Sequence, residues 1–137
     1  MGTRCFSTSD FNDSTTLAEL TTVFYEYETA LVSNNVPTLT RLFLDASQTV
    51  RFGPTETLYG SREIEQFRRD RSPAGLARRL DRVTITSAGP NVGTTTAEFT
   101  RMASGVRGRQ TQTWVRTPAG WRVLLAHVSI APPSRDG

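Results

Sequence analysis

The strongest constraint in this sequence is a single change of hydrophobic period just before residue 50. Ahead of it, apolar residues recur every three or four positions, as on one face of a helix. Beyond it, most segments alternate apolar with polar residues, as along a strand with one buried face. A chain that writes helical stripes first and alternating segments last must lay its helices on one face of a sheet, which is the α+β arrangement.

Leu17, Leu20, Phe24, Tyr27 and Leu31 fall on one stripe and predict a first helix between Asp13 and Asn34. Asp13 or Ser14 is positioned to cap it, and Asn34 with Asn35 ends it. A second, short helix is expected from Asn35 as cap, with Pro37 in the first turn and Leu39, Leu42 and Phe43 as its apolar face up to about Leu44. Thr49–Phe52 and Thr57–Tyr59 then read as a hairpin around Gly53-Pro54-Thr55-Glu56. Ser61 is placed to cap a third helix carrying Ile64 and Phe67. Four long segments complete the chain, about Ala77–Ser87, Val92–Met102, Arg107–Arg116 and Trp121–Ile130, separated by Gly- and Pro-bearing turns, and they predict an antiparallel meander. The expected organisation is a frayed tail over residues 1–12, one domain over 13–131 and a C-terminal tail over 132–137.

No apolar run approaches the roughly 18 residues needed to span a bilayer, and residues 1–12 lack an apolar stretch of export-signal length, so the expected compartment is the cytoplasm. The lone cysteine, Cys5, lies in the expected tail, where a rigidly held nucleophile is not anticipated. All 16 basic residues are arginine, and the formal charge is +3. They are scattered among Asp and Glu without interleaved aromatics, which argues against a nucleic-acid surface and for solvated faces, while leaving carboxylate recognition open. No metal-ligand spacing and no phosphate-cradling glycine motif occurs, so no cofactor is expected.

Two residues carry most of the chemical interest. Tyr27 continues the apolar stripe of the first helix, so its ring faces the sheet and its phenol needs a partner. Arg51 lies mid-strand, and either it or its neighbours Val50 and Phe52 point toward the helices. If Arg51 points inward, no acidic neighbour is obvious, and a substrate carboxylate becomes its expected partner. Asp45, Glu56 and Asp81 read as solvated carboxylates, leaving Glu98 as the one acidic candidate for a pocket. His127, on the parity of Trp121, Val123 and Leu125, is a candidate pocket residue alongside Gln110, Gln112 and Trp114 on the preceding strand. Arg71 and Ser72, in the loop after the third helix, are placed to cover the mouth.

The element order α-α-β-β-α-β-β-β-β resembles the cone-shaped nuclear transport factor 2-like superfamily, which includes ketosteroid isomerase-like and SnoaL-like proteins. Within it, the stretches FYEYETAL (24–31), TVRFG (49–53), RSPAGLARR (71–79), GRQTQTWVR (108–116), GWRV (120–123) and AHVS (126–129) look like the AtzH-like family. That resemblance implies a curved, mainly antiparallel sheet with helices on its concave face. It also implies cofactor-free hydrolysis of a C–N bond in a small carboxylated urea such as 1,3-dicarboxyurea, within nitrogen catabolism. A helix-one tyrosine and a first-strand arginine are required in that family, positions matched here by Tyr27 and Arg51. Phe52 stands where a tyrosine is usual. The alternative is a non-catalytic module, binding its ligand or partnering an amidase, and a homodimer through the outer sheet face is expected, with Phe99, Trp121 and Leu124 divided between the two faces. A ketosteroid isomerase-like or cyclase-like enzyme ranks third.

Overall fold

A computed structural model describes residues 4–131. The expected elements form with end shifts of one or a few residues: α1 (Ser14–Val32), α2 (Val36–Leu42), β1 (Val50–Phe52), β2 (Thr57–Tyr59), α3 (Ser61–Asp70), β3 (Arg78–Ser87), β4 (Val92–Arg101), β5 (Arg107–Thr117) and β6 (Gly120–Ile130). Asp13 caps α1, its carboxylate accepting from Thr16 N at 3.1 Å and from the Thr16 hydroxyl at 3.2 Å. Asn35 caps α2 in the same way through Thr38 N, with Pro37 in the first turn. Ser61 does not cap α3. Gly60 holds the cap position, and the Ser61 hydroxyl donates to Asp45 at 2.8 Å, tying the helix start to the loop after α2.

The six strands make one curved sheet in the order β2-β1-β6-β5-β4-β3. All neighbours run antiparallel except β1 and β6, which pair in parallel, Arg51 lying opposite Ala126. The helices cover the inner face. Leu20, Tyr27 and Leu31 of α1, Leu39 and Leu42 of α2 and Ile64 of α3 close over Trp114, Trp121, Val123 and Ala126 of the sheet. Helix α1 approaches β4 so closely at Gly93 that a Cβ there would lie 2.3 Å from Leu20 Cδ1.

Two further expectations are corrected. Of the segment read as a frayed tail, the described residues 4–12 are docked on the domain. A 3-10 turn at Thr8–Asp10 is followed by Asn12, whose N–H donates to Ser87 O at 3.0 Å and whose Oδ1 accepts from Ser87 N at 3.0 Å. These bonds satisfy the backbone at the end of the edge strand β3, which has no neighbouring strand on that side. The expected tail at 132–137 lies outside the described residues. The second correction concerns β6. Its pairing with β5 shifts between Thr113 and Trp114, so that Trp114 pairs with Val123 and Thr113 with Leu125. This bulge reverses the alternation: Trp121 and Val123 point inward, but beyond Leu124 the inward residues become Ala126 and Val128.

Candidate functional site

Between the helices and the inner face lies a cavity of about 260 Å³, lined by Leu31, Arg51, Glu56, Phe67, Arg71, Arg78, Phe99, Gln110 and Val128 among others. Its character depends on which polar residues the fold turns inward. Arg51 does point in, and its side chain is only 5% exposed. It is not free of an acidic mate, however. Glu56, expected in solvent, folds back from the β1–β2 turn and accepts from Arg51 Nη1 at 2.6 Å. Burial favours the neutral form of Glu56, but the hydrogen bond and charge of Arg51 outweigh it and hold the carboxyl below its ordinary value.

Arg68, which by sequence falls among the arginines expected in solvent, is a buried cation with no acidic partner among the described residues. Arg68, on α3, is fully buried, and its guanidinium lies 4.9 Å from the Phe43 ring centroid and 5.8 Å from that of Tyr27. Its Nη2 donates to Tyr27 Oη at 3.2 Å, while its Nε and Nη1 have no partner. Burial pushes Arg68 below the usual arginine value, and the nearby charge of Arg51 acts in the same direction. Burial would by itself raise the Tyr27 phenol, but the positive charges of Arg68, Arg51 and Arg78 bring it below its ordinary value. Tyr27 is thus a phenol shifted toward its ionised form, set in the interior behind the cavity wall. Arg71, half-buried beside the Phe67 ring, is lowered to about 10 by burial and by Arg68 and Arg51. Asn34 joins the two helix ends around these arginines, donating to Arg68 O at 3.0 Å and accepting from Arg71 Nε at 3.0 Å.

A second chain of contacts crosses the cavity wall. Glu28, on the inward stripe of α1, takes Arg78 in two bonds of 2.9 and 2.7 Å, and Arg78 Nη2 also donates to Gln110 Oε1 at 3.0 Å. Since a guanidinium only donates, the Gln110 amide oxygen must face Arg78, leaving its Nε2 without a partner. The Thr95 hydroxyl accepts from Trp114 Nε1 at 3.1 Å and donates to Gln112 Oε1 at 2.8 Å, and Gln112 Nε2 is without a partner.

Of the residues singled out in the sequence, Tyr27, Arg51, Arg71, Gln110, Gln112 and Trp114 come together in or behind the cavity wall. Three candidates do not. His127 is turned outward by the β6 bulge and meets the Phe52 ring edge-on at 5.8 Å on the outer face. Ser72 is exposed, and its hydroxyl accepts from Ala74 N. Glu98 is exposed opposite Arg109 on the outer face. Of Phe99, Trp121 and Leu124, expected to be divided between the faces, the first two are interior and Leu124 is half-buried. The missed residues are Arg68, Arg78, Glu28 and Glu56. Two carried a legible signal: Arg68 stands four residues after Ile64, and Glu28 four after Phe24, so both fall on inward helical stripes.

A family model described as AtzH-like matches residues 9–134. The chain belongs to the AtzH-like family. A protein of unknown function from Pectobacterium atrosepticum is 44% identical, with 93% of this chain and 100% of that one covered and a TM-score of 0.91. A cystatin-like fold protein from Burkholderia xenovorans is 38% identical over 90% of this chain and 98% of its own, with a TM-score of 0.84. An NTF2-like protein of unknown function from Pseudomonas putida, 15% identical over 90% and 92% of the two chains, shares the fold at a TM-score of 0.75. No curated protein matches the chain. The AtzH-like assignment and the cone-shaped architecture agree with the resemblance drawn from the sequence.

Proposed function

We propose that this AtzH-like chain hydrolyses a C–N bond of a small carboxylated urea, of the type of 1,3-dicarboxyurea, without a cofactor. One observation carries the reading. Among the described residues, the buried side-chain polar atoms without a partner in and around the cavity wall are all donors: Arg51 Nε, Arg68 Nε and Nη1, Arg71 Nη2, Gln110 Nε2 and Gln112 Nε2. Unpaired buried donors are destabilising, so their concentration in one place calls for a ligand rich in acceptor oxygens. Charge points the same way. Arg51, Arg71, Arg78 and Arg101 line the cavity with Arg68 buried behind it, against the two carboxylates of Glu28 and Glu56, so positive charge is in excess. A dicarboxylated urea supplies two negative charges and a carbonyl oxygen.

The residues divide the work accordingly. Arg68 and Arg71, with the free edge of Arg51, hold the carboxylates, and the glutamine amides donate to the carbonyl. Water adds to the carboxyl carbon of R–NH–COO⁻. The C–N bond breaks, and the leaving nitrogen takes its proton from the acidified Tyr27 phenol, giving R–NH2 and bicarbonate; the phenolate then recovers the proton given up by the water. An isomerase-type reading is disfavoured. Its general base would be an interior carboxylate, yet Glu28 and Glu56 are both engaged by arginine.

Bicarbonate release from 1,3-dicarboxyurea tests the reading. The parent is expected to turn it over, Tyr27→Phe to lose about a hundredfold or more in kcat, and Arg68→Met to lose binding. A parent that releases no bicarbonate, or two variants as fast as the parent, sinks it.

A further inference from the structure

The Arg51–Glu56 pair sets the protein's own carboxylate on a wall otherwise short of acceptors. Three features mark how Glu56 is held. Only Nη1 of Arg51 is engaged, at 2.6 Å, and Nε is left without a partner, so the pair does not use the two-bond geometry open to a free carboxylate. Glu56 is carried at the end of a turn that joins two three-residue strands at the sheet edge, with Pro54 and Thr55 exposed and one backbone bond, Gly53 N to Glu56 O at 2.9 Å, closing it. And the carboxylate lies in space that any side chain at position 53 would fill, since a Cβ on Gly53 would be 1.7 Å from Glu56 Oε1.

The unpaired donors of Arg51, Arg68, Arg71 and Gln110 are meanwhile all out of reach of solvent. Pro54, Thr55 and Glu56 line the same cavity as Arg51, Arg71 and Gln110.

We propose that Glu56 is a specificity-determining residue that occupies Arg51 while the cavity is empty and gives up that place to the substrate's carboxylate. The inference rests on the reading of the cavity as a carboxylate site. An entering ligand must then outcompete a carboxylate already in position. A neutral ligand cannot do this. A dianion can, because its second charge finds Arg68 and Arg71 while its first displaces Glu56. The displaced turn swings outward about Gly53, uncovering the donors behind it.

Two chemically unrelated substitutions should have the same effect. Glu56→Gln keeps the size of the side chain but removes its charge. Gly53→Ala keeps the charge but fills the space the carboxylate needs; the clash falls on the far end of a flexible side chain, which moves aside while the backbone stays. Malonate, a non-reacting dicarboxylate, is the probe, and its dissociation constant is measured by titration calorimetry on the parent, both variants and Arg68→Met. The expected result is that both variants bind malonate about tenfold more tightly than the parent, the factor for a competent state populated at about one part in ten, and that Arg68→Met binds it poorly. In the parent, malonate should also speed hydrogen exchange at the Gly53 amide. Should parent binding depend on Arg68 while neither Glu56→Gln nor Gly53→Ala tightens it, the role of Glu56 is overturned and the anion site stands. Absence of binding in all four proteins overturns both.

Discussion

Arg78 and Arg68 sit in the same interior, one on a strand and one on a helix, and they meet opposite fates. Arg78 gives two bonds to Glu28 and a third to Gln110, and its guanidinium lies 4.4 Å from the Phe99 centroid, so its charge is answered within the fold. Arg68 has a phenol oxygen and two aromatic rings. The first arrangement holds a wall in place, and the second leaves a charge open to an anion from outside. Glu56 stands between these cases, and its linkage to pH can be worked out. Its folded-state pKa lies below the ordinary value of about 4.3. The stability it contributes is therefore fully present above the unfolded value and is lost as pH falls through the lower folded value. Glu56→Gln should be less stable than the parent near neutral pH, and the difference should shrink once the pH drops below about 4; melting temperatures of the two proteins across pH 3–7, the range set by that value, would check it. A difference that grows in acid would contradict the sign.

At the scale of elements, the bulge in β6 decides most about the sheet. Strict alternation from Trp121 and Val123 places Leu125 and His127 inside. One extra residue in the strand exchanges them for Ala126 and Val128, which are 1% and 7% exposed. Val128 then lines the cavity, and His127 faces out against Phe52. His127→Ala should accordingly change stability by no more than about 0.5 kcal/mol and leave malonate binding as it is, whereas Val128→Asp, burying an unpaired carboxylate, should cost about 3 kcal/mol or more. Urea unfolding of both variants measures the contrast, and a similar loss in each would mean that the strand runs without its bulge. The helices are simpler. Their stripes, the Asp13 and Asn35 caps and the position of Pro37 are local features, and each is where the sequence puts it. The same stripes held two polar residues, Glu28 and Arg68, that composition alone assigns to solvent.

Taken whole, the molecule stores positive charge between a helical layer and the concave side of a sheet, and that storage opposes its stability. Arg68 is the clearest case, because its burial is not offset by an anion of the protein. Arg68→Met, of similar shape and without charge, is expected to raise stability by about 1 kcal/mol or more while abolishing anion binding, as denaturant unfolding and malonate titration would register. A variant that is both less stable and still able to bind would show that the phenol and the rings already satisfy Arg68.

The order of elements, the helix stripes, the Asp13 and Asn35 caps, the turns and the inward parity of Gln110, Gln112 and Trp114 were legible in the sequence, because each depends on residues a few positions apart. The resemblance of its motifs to the AtzH-like family was legible too. The ion pair of Arg78 with Glu28, the isolation of Arg68 and the outward turn of His127 were decided only in three dimensions. Glu28 and Arg78 are fifty residues apart and Tyr27 and Arg68 forty-one. A charge is buried, paired or left alone according to what other segments bring to it, and the register of a strand according to the neighbour it pairs with. Neither is a property of the local sequence that carries the residue.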